Sequence, residues 1–180
     1  MKNLLILFVL LSMAACSSIQ VSYDYDKSAD FTKYKTYDYT EETKSLGGSS
    51  GQLIKQRLLS SVDQEMASRG YTKSEGDADL LVELHIKTEQ KQTATAYNTG
   101  GYGYYRYGGM GMGTTTINYD DYTDGTLFID VVDKSADKMI WQGRGTKTLS
   151  ENASPQKTDS NIAYAVKTIF SNYPVKPTAK

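Results

Sequence analysis

Chemistry in a protein needs a proton-transfer group, a nucleophile or a set of metal ligands held close together. The chain carries one histidine, His85, and one cysteine, Cys16. A single His has no second imidazole with which to share a metal or a proton relay. One Cys builds neither an intrachain disulfide nor a Cys-based zinc site. His85 alternates with Glu83 and Lys87, which puts it on the polar face of a strand as a surface residue. Asp120, Asp121 and Asp124 cluster before Gly125. Their spacing is like the start of a calcium loop, but the third ligand position is Tyr122 and the twelfth is Val131, where a Glu is needed. They read as a turn entering a strand. Asp130 falls mid-strand, on the face shared with Phe128 and Val132. A covered carboxylate there needs hydrogen-bond donors, and Arg144 on the next strand is the candidate for a structural pair. A serine nucleophile needs a positioned base and an oxyanion site, and the sequence points to neither. The expectation is a protein that is not an enzyme, with no metal and no cofactor.

The segment 97–113 is the other unusual feature. It holds seven Gly, two Met, a single charge at Arg106, and five Tyr: Tyr97, Tyr102, Tyr104, Tyr105 and Tyr107. Gly contributes no packing and loses much entropy on ordering, so the plain reading is a flexible insertion in a hairpin. Tyr has an apolar ring and a polar tip, which suits it to interfaces. These five tyrosines are therefore the candidate contact surface for a partner protein, lipid or glycan. Nucleic acid is not expected. The 20 Lys plus Arg against 21 Asp plus Glu give no field to attract phosphates, and one Arg supplies little locally.

Residues 1–15 form a unit of their own. Lys2 precedes an apolar run from Leu4 to Leu11, and small residues lead to Cys16. This is a secretory signal; eight apolar residues are too few to span a bilayer, which needs about 20. Met13-Ala14-Ala15-Cys16 resembles the lipobox of bacterial lipoproteins. The resemblance implies cleavage before Cys16 and acylation of its thiol and amine. Several acyl chains anchor stably at about 0.8 kcal/mol per buried CH₂. Ser17 rather than Asp after the Cys implies, by resemblance to enteric sorting rules, an outer-membrane destination, and no acidic run follows the Cys, which points to a periplasm-facing body.

The elements that must position these residues follow from periodicity. Residues 19–25 alternate as a strand, 34–39 is a second strand by its high β-propensity, and 40–51 is a polar linker. Leu53, Ile54, Leu58, Leu59, Val62 and Met66 recur at helical spacing, with Ser49 and Gln52 placed as a capping box and Gly70 as the stop. Residues 78–89 and 125–132 are strands, and 138–149 returns as a hairpin partner. A last helix starts at Ser154-Pro155 and carries Ile162, Ala165, Val166, Ile169, Phe170 and Tyr173 on one face. The sum is one α+β domain over residues 16–180. It has a mainly antiparallel sheet of about five strands and two helices packed on one face. The expected core is Leu58, Val62, Leu80, Val82, Leu84, Leu127, Ile129, Val131, Trp141, Val166 and Phe170.

Several stretches together resemble the bacterial lipoproteins of the domain of unknown function 4136. They are Val21-Ser22-Tyr23-Asp24-Tyr25-Asp26, Asp30-Phe31-Thr32-Lys33-Tyr34-Lys35-Thr36-Tyr37, Ala78-Asp79-Leu80-Leu81-Val82, Gly125-Thr126-Leu127-Phe128-Ile129-Asp130, Ile140-Trp141-Gln142-Gly143 and Ile169-Phe170-Ser171-Asn172-Tyr173-Pro174. Tyr39 stands where a Trp is common in that family. The resemblance implies a compartment and a fold, and no catalytic residues. The expected role is a membrane-tethered envelope component that binds a partner. The alternative is an accessory protein that holds a lipid or glycan between helices and sheet.

Overall fold

The computed structural model describes residues 19–47, 51–99, 114–150 and 152–178. The signal segment, Cys16, Ser49, Tyr102, Tyr104, Tyr105 and Tyr107 lie outside the described residues. The described elements are β1 (Gln20–Tyr25), a 3-10 turn (Phe31–Lys33), β2 (Thr36–Tyr39), α1 (Glu41–Ser45), α2 (Gln52–Ser68), β3 (Thr72–Lys73), β4 (Leu80–Thr99), β5 (Thr114–Asp133), β6 (Lys138–Thr148) and α3 (Pro155–Phe170).

The architecture is α+β, as expected, but the sheet has six strands in the order β1-β6-β5-β4-β2-β3 and is mixed. β2 runs parallel to β4 and to β3, while the other pairs are antiparallel. The parallel pairs have a topological cause. The chain leaves β2 through α1 and α2 and returns on the same side, and such a crossover delivers a parallel strand. β3 has two residues, too few to show alternation, and α1 is a five-residue helix inside the expected polar linker. Thr40 caps α1, accepting from the Thr43 amide at 3.3 Å.

Helix ends follow local chemistry. Gly51 is the N-cap of α2, with no side-chain bond, and Gln52 is the first helical residue rather than the third after a cap; the expected cap residue, Ser49, lies outside the described residues. Gly70 does stop the helix, with φ +86°, a conformation that disfavours any side chain. Ser154 caps α3 through the Lys157 amide at 3.2 Å, with Pro155 in the first turn. Arg69, buried at the end of α2, donates to the Phe170 carbonyl at 2.8 Å and to Glu65 at 2.6 Å. One guanidinium thus holds the C-terminal ends of both long helices.

Every expected core residue is buried. Leu53 is exposed, although it falls near the apolar stripe of α2. Trp141 stacks on Phe170 at 5.6 Å and meets Tyr173 edge-on at 5.1 Å. The Trp141 ring and Ile169 lie over Gly143, and Ile19 and Ile169 lie over Gly145. A methyl at Gly143 would overlap both the indole and Ile169 Cγ2, so glycine is required by close approach. Carboxylates fasten the strands, one of them half-exposed and one buried. Asp63 of α2 accepts from Tyr37 and Tyr39 of β2, each at 2.7 Å. Asp133 accepts from Tyr34 at 2.6 Å, Lys33 at 3.2 Å and Ser135 Oγ at 2.6 Å.

We expect Gly143→Ala to destabilise the protein by about 1–3 kcal/mol, the usual cost of an extra carbon in a filled core. A urea unfolding curve measures it, and an unchanged midpoint would show that the indole does not lie on that glycine.

Candidate functional site

Two surfaces carry the residues singled out by the sequence. One is the sheet face turned away from α2 and α3. Glu83 and His85 of β4 lie beside Asp130 of β5 there, and Gln142 of β6 stands directly opposite Asp130. His85 Nε2 is 3.3 Å from Glu83 and 3.9 Å from Asp130. Asp130 is 4% exposed, and its Oδ1 has no hydrogen-bond partner among the described residues. Burial pushes its carboxyl above the usual range, with Gln142 and His85 opposing that shift. The expected Asp130–Arg144 pair is not formed. Register puts Arg144 opposite Phe128, and its guanidinium turns outward to Ser22 of β1. A histidine between two carboxylates could pass a proton. Two grooves of the described surface lie elsewhere, one along α2 from Gln52 to Ala67 and one around Tyr34 and Asp133.

The second surface is the β4–β5 ribbon. β6 leaves β5 at the pair Asp124↔Thr148, yet β4 and β5 stay paired for ten more positions, from Gln90↔Thr123 to Thr99↔Thr114. At about 3.4 Å per residue the arm extends roughly 30 Å beyond the sheet. Sequence reading ended these strands at residue 89 and at residue 125. The arm has polar residues on both faces, so it shows no hydrophobic alternation to detect. What forms it is a Thr-rich, β-branched composition and cross-strand pairs. Gln92 donates to Asp121 at 2.9 Å, and Lys91 meets Asp124 at 2.9 Å. Asp124 also accepts from Thr148 at 2.8 Å, and the Lys91 ammonium holds its carboxyl below the usual range. Asp120, Asp121 and Asp124 are therefore strand residues rather than a turn, and Asp121 points to the face opposite the other two.

Tyr97 is the one candidate contact tyrosine among the described residues. It lies in β4, near the end of the arm, and is 57% exposed. Ile117 and Tyr119, on the opposite face of β5, are 51% and 61% exposed. Sequence reading did not single these two out. Their signal would have been large apolar side chains between the Tyr-Gly segment and an acidic cluster. The remaining candidates, Cys16, Tyr102, Tyr104, Tyr105 and Tyr107, fall outside the described residues.

The body and its arm define a small α+β protein with a filled core and a projecting two-stranded ribbon. The chain belongs to the domain of unknown function family DUF4136, whose model matches residues 21–175. No curated protein matches it in sequence. Among solved structures it is similar to a PDZ domain protein from Parabacteroides distasonis, at 11% identity and a TM-score of 0.57 over 99% of this chain. It spans 41% of that protein's length, and the likeness is one of fold. A PelC dodecamer from Paraburkholderia phytofirmans aligns at 10% identity and a TM-score of 0.47, over 90% of this chain and 100% of the other.

The raised Asp130 fixes a sign. Its stabilising contribution is complete below the unfolded value near 3.8 and is lost as pH rises through the higher folded value. Asp130→Asn should therefore raise stability at neutral pH and flatten the pH profile above 3.8. Denaturation midpoints across pH 4–8 measure this, and a variant less stable than wild type at pH 7 would mean that the carboxylate is paired.

Proposed function

We propose that this chain is a lipid-anchored, non-enzymatic component of the bacterial envelope that uses the β4–β5 arm to contact a partner. The observation that carries the reading is the arm itself, ten residue pairs beyond the sheet, with Tyr97, Ile117 and Tyr119 exposed near its end. A two-stranded ribbon with no core beneath it is marginal in water. Such an extension with large apolar side chains turned outward is what a contact surface requires. The segment with Tyr102, Tyr104, Tyr105 and Tyr107 joins the two strands of this arm, so those residues belong to the same contact.

The anchor half of the reading rests on the signal-like start and on Cys16 behind Met13-Ala14-Ala15. Among the described residues no helix is long and apolar enough to cross a membrane, so a tether at Cys16 would supply the attachment. In this reading the body faces the periplasm from the outer membrane. The described core is filled by side chains such as Val62, Met66, Ile129, Val131 and Ile169, all fully buried. That packing favours surface contact over a ligand held between helices and sheet.

Two experiments test the halves separately. Cys16→Ser should move the protein from the membrane fraction to the soluble fraction, and membrane association as strong as wild type would refute the anchor. Deleting residues 97–113 should cost most of the co-purifying envelope protein while leaving the melting temperature of the body within a few degrees. Unchanged co-purification would refute the arm as the contact.

A further inference from the structure

An arm of two strands has two edges. On the β4 side, β2 pairs only as far as Val82. α1 then covers one more step. Thr40 N donates to the Val82 carbonyl at 3.2 Å, and Leu84 N donates to Thr43 Oγ1 at 2.8 Å. These two bonds also fix which backbone groups face outward. In an antiparallel pair, the residues that point away from the partner recur at every second position. The even-numbered residues of β4 therefore point their amides and carbonyls away from β5. On the arm these include Gln92, Ala94 and Ala96. By the same alternation, the odd-numbered residues of β5 point outward on the other edge, as the bond from Leu149 N to the Thr123 carbonyl at 2.8 Å confirms.

Beyond α1 and β6, both edges lack a neighbouring strand among the described residues. Natural edges of this length are blunted by proline, bulges or rows of lysine. Here the register runs without a shift from Leu80↔Asp133 to Thr99↔Thr114, and neither arm strand contains proline. The two edges also differ in charge. The β4 arm strand, 90–99, carries Lys91 as its one charge, while the β5 arm strand, 114–123, carries Asp120 and Asp121 with no Lys or Arg. Two β5 edges would set Asp beside Asp. A β4 edge against a β5 edge joins opposite charges.

We propose that the arm binds a second copy of this chain, edge to edge, with β4 of one copy hydrogen-bonded along β5 of the next. This deepens the proposed function by naming the partner, and it rests on that reading for the orientation of the copies. Chains tethered to one membrane point their arms the same way. β5 of one and β4 of the next then run antiparallel, the pairing already used inside each arm. Contact between unlike edges is head-to-tail, so each copy keeps one edge available and the assembly grows or closes into a ring.

The test uses proline at outward-facing amides, which removes an edge donor without breaking a bond inside the arm. Full chains carrying Ala96→Pro, Tyr119→Pro or Asp120→Lys are purified in mild detergent and compared with wild type by analytical ultracentrifugation. Circular dichroism confirms that each is folded. Wild type should sediment as an oligomer. Each proline variant should fall to a monomer, and Asp120→Lys should weaken assembly at least tenfold and carries no backbone penalty. Mixing differently tagged Ala96→Pro and Tyr119→Pro chains should restore a one-to-one pair, because each retains the edge the other has lost. A monomeric wild type, or assembly unaffected by all three changes, overturns the proposal. If wild type is monomeric but deleting residues 97–113 still abolishes capture of a different envelope protein, the inference fails and the functional reading stands. If wild type assembles through its edges but that deletion leaves capture unchanged, the inference stands and the partner reading of the tyrosine segment fails.

Discussion

The packing of one indole over one glycine organises this molecule. Trp141 lies across the backbone of its own strand at Gly143, and that lets Ile169 and Phe170 of α3 approach the sheet. Tyr173, just past the helix, closes the cluster and reaches Phe31 edge-on at 5.6 Å and the Tyr71 hydroxyl at 3.3 Å. Four distant parts of the chain meet there: the 3-10 turn after β1, the start of β3, β6 and the end of α3. Aromatic pairs of this geometry contribute about 0.5–1.5 kcal/mol each beyond the area they bury. With the helices fixed to this half of the sheet, core cover ends near Leu84 and Leu127. Ile86, next on the same face, is already 45% exposed. The arm begins where the helices stop, so the position of the aromatic cluster also decides what is left uncovered.

Polar groups are distributed in keeping with that division. Carboxylates in the body are satisfied by several donors each, as at Asp133 and Asp63. Serine, tyrosine and lysine donors hold Asp133 well below the usual carboxylate range, so it favours the fold above its unfolded pKa and ceases to do so as acid protonates it. Asp130 has the opposite sign and sits on the uncovered face of the sheet beside the only histidine. The arm is held by single cross-strand contacts, such as Lys91 with Asp124, and has no core of its own. Stability is therefore concentrated in the body. The arm occupies the low-stability end, where binding elements are commonly found.

Much of the body was legible in the sequence because burial imposes periodicity. Leu80, Val82 and Leu84 alternate, Val166, Ile169 and Phe170 recur at helical spacing, and all are buried as expected. Gly70 and Ser154-Pro155 marked helix ends through chemistry local to a few residues. What escaped was set by distant partners. β3 is two residues long and exists because the start of β2 offers it hydrogen bonds. The parallel sense of β2 is a property of the crossover. Asp130 was recognised as needing a donor, but its neighbour depended on register, which gave Gln142 rather than Arg144. The arm was missed because a ribbon wet on both faces has no hydrophobic period, and Ile117 and Tyr119 could be placed only once β5 was seen to begin at Thr114.

The central proposal is that the arm's outer edge is covered by a second copy when the protein is anchored to a membrane as proposed. Amide hydrogen exchange tests it most directly, by comparing the outward-pointing amides of Gln92, Ala94 and Ala96 in native membranes with the same amides in dilute, isolated chains. The account predicts slow exchange in the membrane and fast exchange in isolation, while the inward-pointing amides of Lys91, Thr93 and Thr95 change little. Equal, fast exchange of the edge amides in both states would contradict it.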